Sequence, residues 1–422
     1  MRQQAGAGVA AGAFPVVVVG ASVRGFAQSA AAAGWDVYAA DLFADYDLRL
    51  AARAVVRAAD VAGSYPESLA VAAERFPHAP WCYTGAVENH PNLIDTMAGR
   101  RRLAGNDGRR VRAIRDPARV AAAARDAGLS FPDTHRHPAG LPVDGSFLVK
   151  PVASAGGRGI RRWHGGQPPG EPAVWQRHIP GSSVAAAFVC DGRRARLLSI
   201  TRQLVGLACC HAAPFAYCGS LRGTARHPLD GLPDAAAEAW ARFGDVLAAT
   251  FGLIGVIGVD AVVDAEGRLW IIEVNPRPTA SMELHERATG ESIAALHLHA
   301  CGVPGPPSAR LPAADACWAK AVLHAPHECR VDAALAGRWA AWAAEWAARD
   351  GGWAAVADLP VADQTIRPRA PLLTVFARGA VPEEAWTRLE ARVAEIGGTL
   401  PAAPTPPSGA ACPPPPAARC IA

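Results

Sequence analysis

The chain has 422 residues, 50% of them apolar, and its 42 basic and 38 acidic side chains leave a formal charge of +4. That length supports two or three domains with substantial cores, and so small a basic excess, without a block of like charge, excludes the electrostatic footprint of a nucleic-acid binder. Ten cysteines occur without a Cys-x-x-Cys pair, which argues for reduced thiols in a cytoplasmic protein and against a zinc site or a disulfide framework. No apolar stretch free of breakers is long enough for a membrane span.

The Ala/Gly-rich start carries only Arg2 as a positive region and leads into a strand, not into a cleavage site. The apolar run 14–19 reads as a buried strand, followed by the turn Gly20-Ala21-Ser22-Val23-Arg24-Gly25 and an Ala-rich helix over 26–33 that Gly34 stops. The next strand, 35–40, places Asp41 where a doubly wound sheet would hold a ribose. The glycine turn lacks the middle glycine of the dinucleotide fingerprint. A further strand leads into Glu88, Asn89 and His90 at its carboxyl end, the mouth of a parallel α/β sheet. These three read equally as acceptor contacts and as the cap of a helix opening at Pro91.

Lys150 is one of two lysines in the chain, the other being Lys320. Arginine has taken nearly every other basic position, so the remaining lysines mark places where a compact ammonium matters. Lys150 ends a strand and precedes Ser154-Ala155-Gly156-Gly157-Arg158-Gly159. Glycine N–H groups can close on phosphate oxygens while the ammonium neutralises their charge. The order differs from the P-loop, in which lysine follows the glycines.

Downstream, the apolar β-branched runs on either side of Asp264-Ala265-Glu266-Gly267 predict an antiparallel hairpin with a four-residue turn. If Val263 pairs with Arg268, then Asp260 pairs with Ile271, and alternation puts Asp260, Glu273 and Asn275 on one face. Two carboxylates and an amide then converge as hard oxygen ligands suited to magnesium, which leaves its other positions to water and nucleotide phosphate. Arg277 reaches the same phosphates.

Helical periodicity over 281–300 ends at the breaker-rich linker 302–307. A strand over 316–324 carries Lys320, read as a structural ion-pair partner. An Ala/Trp-rich amphipathic helix and short strands within 356–377 follow, and the Pro/Ala/Ser-rich tail 401–422 is expected to be disordered. His211, beside Cys209-Cys210, reads as a core or substrate-facing group and not as a metal ligand.

The order of Lys150 with its glycine loop, Gln176-Arg177-His178-Ile179-Pro180-Gly181, Asp260, and Glu273-Val274-Asn275-Pro276-Arg277 resembles the ATP-grasp superfamily of carboxylate–amine ligases. The resemblance implies an α/β and α+β chain. It would comprise a Rossmann-like pre-ATP-grasp domain at 1–112, an ATP-grasp domain of two α+β lobes at 113–300, and a small β-rich closing domain at 301–400. It implies that Lys150 grips nucleotide phosphates under a flexible flap containing Ser154, Gly156, Gly157 and Gly159, and that Gln176, Arg177, His178 and Ile179 pass the adenine edge. Asp260, Glu273 and Asn275 would hold Mg2+, and Arg277 would steady the transferred phosphoryl group of ATP. Arg202, Tyr217, Ser220 and Arg222 fall where such ligases hold the acid substrate.

Two departures accompany this likeness. The lysine that many members place ahead of a Gly-x-x-x-Pro segment, here Gly128 to Pro132, is missing, and Arg115 is the nearest cation. The glutamate that often holds ribose is replaced by Gly181-Ser182-Ser183, leaving the hydroxyl of Ser183 for that role. The expected activity is ADP-forming amide synthesis through an acyl phosphate, from small carboxylate and amine substrates, by a homodimer that needs neither membrane nor nucleic acid. The Glu88-Asn89-His90-Pro91 and Asp358-Leu359-Pro360 segments further resemble a subgroup linked to tetrahydromethanopterin- or methylofuran-type one-carbon cofactors. Biotin-carboxylase-like carboxylation, a nicotinamide-dependent oxidoreductase and a non-catalytic nucleotide-binding protein remain as alternatives.

Overall fold

A computed structural model describes residues 14–229, 236–307, 311, 313 and 315–401. The expected tail lies, apart from Pro401, outside the described residues, as does the Arg2 segment.

The leading unit is a parallel sheet built around β1 (Pro15–Val19), whose four valines are buried on both faces. It is followed by α1 (Arg24–Ala32), β2 (Asp36–Asp41), α2 (Tyr46–Ala51), β3 (Ala54–Arg57), α3 (Glu67–Glu74) and β4 (Trp81–Tyr83), with strand order β3-β2-β1-β4. This is the doubly wound arrangement expected of the amino-terminal part. The buried Asp41 side chain accepts hydrogen bonds from the backbone N–H groups of Val23 (2.8 Å), Phe43 (2.7 Å) and Ala44 (2.7 Å). Its oxygens therefore anchor the glycine turn. An added Cβ would lie 2.1 Å from Thr84 Oγ1 at Gly20 and 3.0 Å from the Glu283 carboxyl at Gly25, so protein atoms fill the close approach that these glycines permit.

Helices α4 (Pro91–Ala98), α5 (Gly108–Ile114) and α6 (Pro117–Asp126) lead into the central region. There, β5 (Thr134–His135), β6 (Phe147–Pro151), β7 (Arg161–Arg162) and β8 (Ala173–Arg177) form a small antiparallel sheet in the order β5-β8-β6-β7. Phe147, Val149, Trp163 and Trp175 pack as its own core. Next come β9 (Ser182–Asp191), β10 (Ala195–Val205), β11 (Tyr217–Arg222), α7 (Ala236–Phe251), β12 (Ile254–Val263), β13 (Leu269–Asn275), α8 (Met282–Thr289) and α9 (Ile293–Ala300). The helical run expected over 281–300 is broken at Gly290, which takes φ 73° at the end of α8.

Beyond the linker lie β14 (Cys317–His324), β15 (Cys329–Val331), α10 (Ala333–Arg349), β16 (Val356–Ala357), β17 (Gln364–Ile366), β18 (Pro371–Gly379) and α11 (Pro382–Gly397). β14, β18 and β16 extend the central sheet, whose order is β13-β12-β9-β10-β11-β14-β18-β16, so one eight-stranded sheet crosses residue 300. Trp240, Phe243 and Leu247 of α7 are fully buried against Phe188 and Ile257 on one face of that sheet. Each such side chain contributes roughly 1.5–3 kcal/mol of hydrophobic stabilisation. Met282 and Ile293, from α8 and α9, pack with Ala187 and Val256 on the other face, leaving small side chains beneath the site described next.

Candidate active site

The β12–β13 hairpin forms as expected but in a different register. Val263 pairs with Leu269 and Asp260 pairs with Glu273, where the turn length had predicted Arg268 and Ile271. Two displacements combine to give this result. The loop is one residue longer, closed by Asp264 N–H to Arg268 O at 3.1 Å, and the register shifts between Asp260 and Ala261, which passes over Ile272. A one-residue slip alone would turn Glu273 to the opposite face. The bulge restores parity and places Glu273 directly across from Asp260.

Asp260 Oδ2 accepts from Asn275 Nδ2 at 3.0 Å, and Asp260 Oδ1 accepts from Gln203 Nε2 at 2.8 Å. Burial, and next the facing Glu273, push the Asp260 carboxyl up to about 6 against these two hydrogen bonds and the charge of Arg277. Two carboxylates set face to face at a partly buried position form an arrangement that a divalent cation relieves. The donor set of two carboxylates and an amide therefore fits Mg2+. Among the described residues no group of three or more His, Cys, Asp or Glu side chains is placed to hold a metal.

Cross-strand pairing extends this face across the sheet. Asp260 pairs with Ala185, Thr201 with Ala185, Gln203 with Ser220, and Ser220 with Lys320. Ser183 lies two residues from Ala185 on the same face, paired with Val262 beside the hairpin's turn. Tyr217 and Ser220 share a hydrogen bond of 2.9 Å between their hydroxyls. Arg202, expected beside them, pairs with Val184 and Leu221 and so takes the opposite face. Arg222 reaches the Gly223 carbonyl, with its Nε buried and without a hydrogen-bond partner.

The small sheet supplies the facing wall. Lys150 on β6 donates to Gln176 Oε1 on β8 at 2.7 Å, and Gln176 is fixed in turn by Thr134 Oγ1 at 3.2 Å. Burial lowers the Lys150 pKa, while the charges of Glu273 and Asp260 oppose that effect, which places the ammonium within their field. Arg177 leaves this network to stack on Phe147 at 4.9 Å, and the His178 ring meets Phe215 at 6.3 Å, just before Ile179. Arg115 ends α5 and donates to the Val152 carbonyl, immediately beyond the lysine strand.

Ser154 bonds the Arg158 carbonyl within the glycine loop, and Gly156, Gly157 and Gly159 have φ of 62°, 77° and 78°. The loop is clasped: Tyr217 N–H donates to Gly156 O at 3.1 Å, and a Cβ on Gly157 would lie 1.9 Å from Phe215 O. Phe215 itself has φ 66°.

The segment after the leading sheet contributes Glu88, only 2% exposed, which pairs with Arg277 Nη2 at 2.6 Å. Arg277 also reaches Asn275 Oδ1 at 3.2 Å, so a continuous chain of polar contacts runs from Glu88 through Arg277 and Asn275 to Asp260. His90 occupies the N-cap position of α4 ahead of Pro91 without a side-chain cap hydrogen bond, and its ring meets Tyr65 edge-on at 5.2 Å. Asn89 keeps its Oδ1 buried without a partner. Lys320 is an ion-pair partner, as expected, bound to Glu283.

Sequence reasoning missed Gln203, which pairs with Ser220 and whose partner Asp260 arrives from across the sheet. It also missed Glu283, which bonds both Lys320 and Arg24 while Arg24 bonds Asp358 at 2.8 Å, tying the leading, central and carboxyl-terminal segments together. Burial opposes the Glu283 charge, but Arg24 and Lys320 outweigh it and hold that carboxyl far below its ordinary range.

Residues 114–281 match the ATP-grasp_3 family, described as an ATP-grasp domain. The chain carries an ATP-grasp domain. Similar solved folds include the N5-carboxyaminoimidazole synthetase of Staphylococcus aureus in complex with ADP, at 13% identity and TM-score 0.63 over 90% of this chain and 98% of that one. Another is the biotin carboxylase of Campylobacter jejuni as a β,γ-ATP complex, at 13% identity and TM-score 0.61 over 89% of each chain. A third is the biotin carboxylase domain dimer of the Hydrogenobacter thermophilus 2-oxoglutarate carboxylase with MgADP and bicarbonate, at 12% identity and TM-score 0.61 over 92% and 90%. At these identities the likeness is one of fold. No curated protein matches the sequence. Every residue from Arg115 to Arg277 named above falls within the ATP-grasp domain, and Glu88 reaches it from the preceding sheet.

Proposed function

We propose that this chain is an ATP- and Mg2+-dependent ligase that joins a carboxylate to an amine through an acyl phosphate, releasing ADP. The observation that carries the reading is the Asp260–Glu273–Asn275 face opposite Lys150, within the ATP-grasp domain. Mg2+ held by that face would neutralise charge on the ATP phosphates and orient them. Lys150 would counter phosphate charge from the facing wall, Arg277 would meet the charge that develops on the transferred group, and the clasped glycine loop would exclude water. Catalysis of this kind is mostly positioning and electrostatic stabilisation.

Carboxylation of an amine by bicarbonate would use the same phosphorylated intermediate class, and the neighbouring folds with ADP and bicarbonate keep it as the second reading. The finer reading, addition of an amino acid to a methanopterin- or methylofuran-type precursor, rests on the resemblance of the Glu88 and Asp358 segments alone. No helix among the described residues is long and apolar enough to cross a membrane, and sedimentation velocity tests the homodimer.

The deciding experiment incubates the protein with MgATP and pooled carboxylates, including bicarbonate, with and without pooled amines, and follows ADP and new masses. Acceptor-dependent ADP with a mass gain names the reaction. Glu273→Ala should abolish it with an unchanged circular dichroism spectrum, and full activity in that variant would remove the hairpin from the mechanism.

A further inference from the structure

A cavity lies where the β10–β11 connection meets the carboxyl-terminal segment. It has a volume of about 340 Å3 and is lined by His211, Ala212, Ala213, Pro214, Ala325, Pro326 and Arg369. That volume is at the lower end of small-molecule sites and suits a small ligand. Its only ionisable lining groups are an imidazole and a guanidinium, with no carboxylate among them.

His211 and Arg369 both hold left-handed backbones, with φ of 52° and 62°, a conformation that costs free energy for residues with a side chain. Arg369 N–H bonds Ala325 O at 2.7 Å, Ala325 N–H bonds Ala370 O at 2.9 Å, and His211 N–H bonds Ala208 O at 3.0 Å. These bonds tie down the backbone at the two residues, which reach the cavity from separate segments of the chain. Behind them His324 is 8% exposed, and its Nδ1 is buried without a hydrogen-bond partner. Burial lowers the His324 pKa, against backbone hydrogen bonds at Cys210 and Val322.

We propose that this cavity binds a small oxyanion, either phosphate or carboxylate, between the Arg369 guanidinium and the His211 imidazole. A guanidinium fork pairs with either group through charge-assisted hydrogen bonds; both side chains are exposed, and no carboxylate lines the cavity to compete with an anion for them. The cavity wall at 211–214 continues directly into Phe215 and Tyr217, the residues that clasp Gly156 and Gly157. The oxyanion therefore sits at the root of the glycine-loop clasp, outside the ATP-binding face.

The test titrates inorganic phosphate, and separately acetate, into the full chain by calorimetry and by the histidine-ring resonances in NMR. It compares wild type with His211→Asn, Arg369→Asn and Lys150→Ala. Asparagine tolerates the left-handed region, so the first two variants preserve the backbone, and their unfolding midpoints should match that of wild type. Binding of either anion that weakens about tenfold or more in Arg369→Asn and His211→Asn but persists in Lys150→Ala supports the site. The anion that binds identifies the source. Binding lost only in Lys150→Ala would assign the anion to the nucleotide face and overturn the proposal. No binding of either anion at millimolar concentration would overturn it as well.

Discussion

Glu88 Oε1 accepts a hydrogen bond from Arg277 Nη2 at 2.6 Å across 189 residues of sequence, and both side chains are largely buried, at 2% and 12% exposure. The pair couples the mouth of the leading sheet to the arginine nearest the Mg2+ face. Removing one member strands the other charge. We expect Arg277→Ala to lower stability by roughly 3–5 kcal/mol and Glu88→Gln, which keeps an acceptor oxygen, to lower it by roughly 1–3 kcal/mol. Urea denaturation of the three proteins checks the order, and equal losses would mean that the pair is not what holds these segments together.

The glycine loop gives a sharper contrast. Gly156 and Gly157 both have positive φ, yet a Cβ meets nothing within 4 Å at Gly156, whereas at Gly157 it lies 1.9 Å from Phe215 O. Gly156→Ala should cost about 1 kcal/mol of local strain and keep the clasp. Gly157→Ala must open it. Limited proteolysis should cut the Gly157→Ala loop several-fold faster than the Gly156→Ala loop, and equal cleavage rates would remove the clasp from the account of the flap.

Much of the site was legible because strand alternation and residue chemistry are local. The apolar runs around Asp264 specified a hairpin, and alternation predicted that Asp260, Glu273 and Asn275 share a face, which the strand pairing brings about. The register was not legible, because a loop one residue longer and a bulge at Ile272 shift pairing in ways that no local propensity encodes. Gln203 and Glu283 were missed for a different reason. Their roles come from partners that arrive across the sheet or from other segments, Asp260 for Gln203 and Arg24 with Lys320 for Glu283. The parallel leading sheet was readable from its valines, whereas Asp41 turned out to bind the backbone of its own turn, which its position at a strand end does not reveal.

Lys150 is held by Gln176 at 2.7 Å beneath a clasped loop. An arginine there keeps the charge but brings a planar fork in place of a compact ammonium, and its length displaces either Gln176 or the loop. We expect Lys150→Arg to weaken MgATP binding at least tenfold, with secondary structure intact. Calorimetric titration with a non-hydrolysable ATP analogue measures this, and an unchanged affinity would mean that the position asks only for positive charge.

The pH dependence of metal binding follows from Asp260. Its folded-state value of about 6 lies above the ordinary aspartate value of about 3.9, so the folded protein binds this proton more tightly than the unfolded chain. The stabilisation is full below about pH 4 and is lost as pH rises through about 6. A divalent cation replaces the proton as the charge that offsets the facing Glu273. The added stability from MgADP over ADP alone should therefore be small near pH 5, rise through about pH 6 and level off by about pH 7. Thermal unfolding with ADP, with and without Mg2+, across that range tests the profile. Asp260→Asn should flatten it, and a wild-type profile that is already flat would remove Asp260 from the metal-binding face.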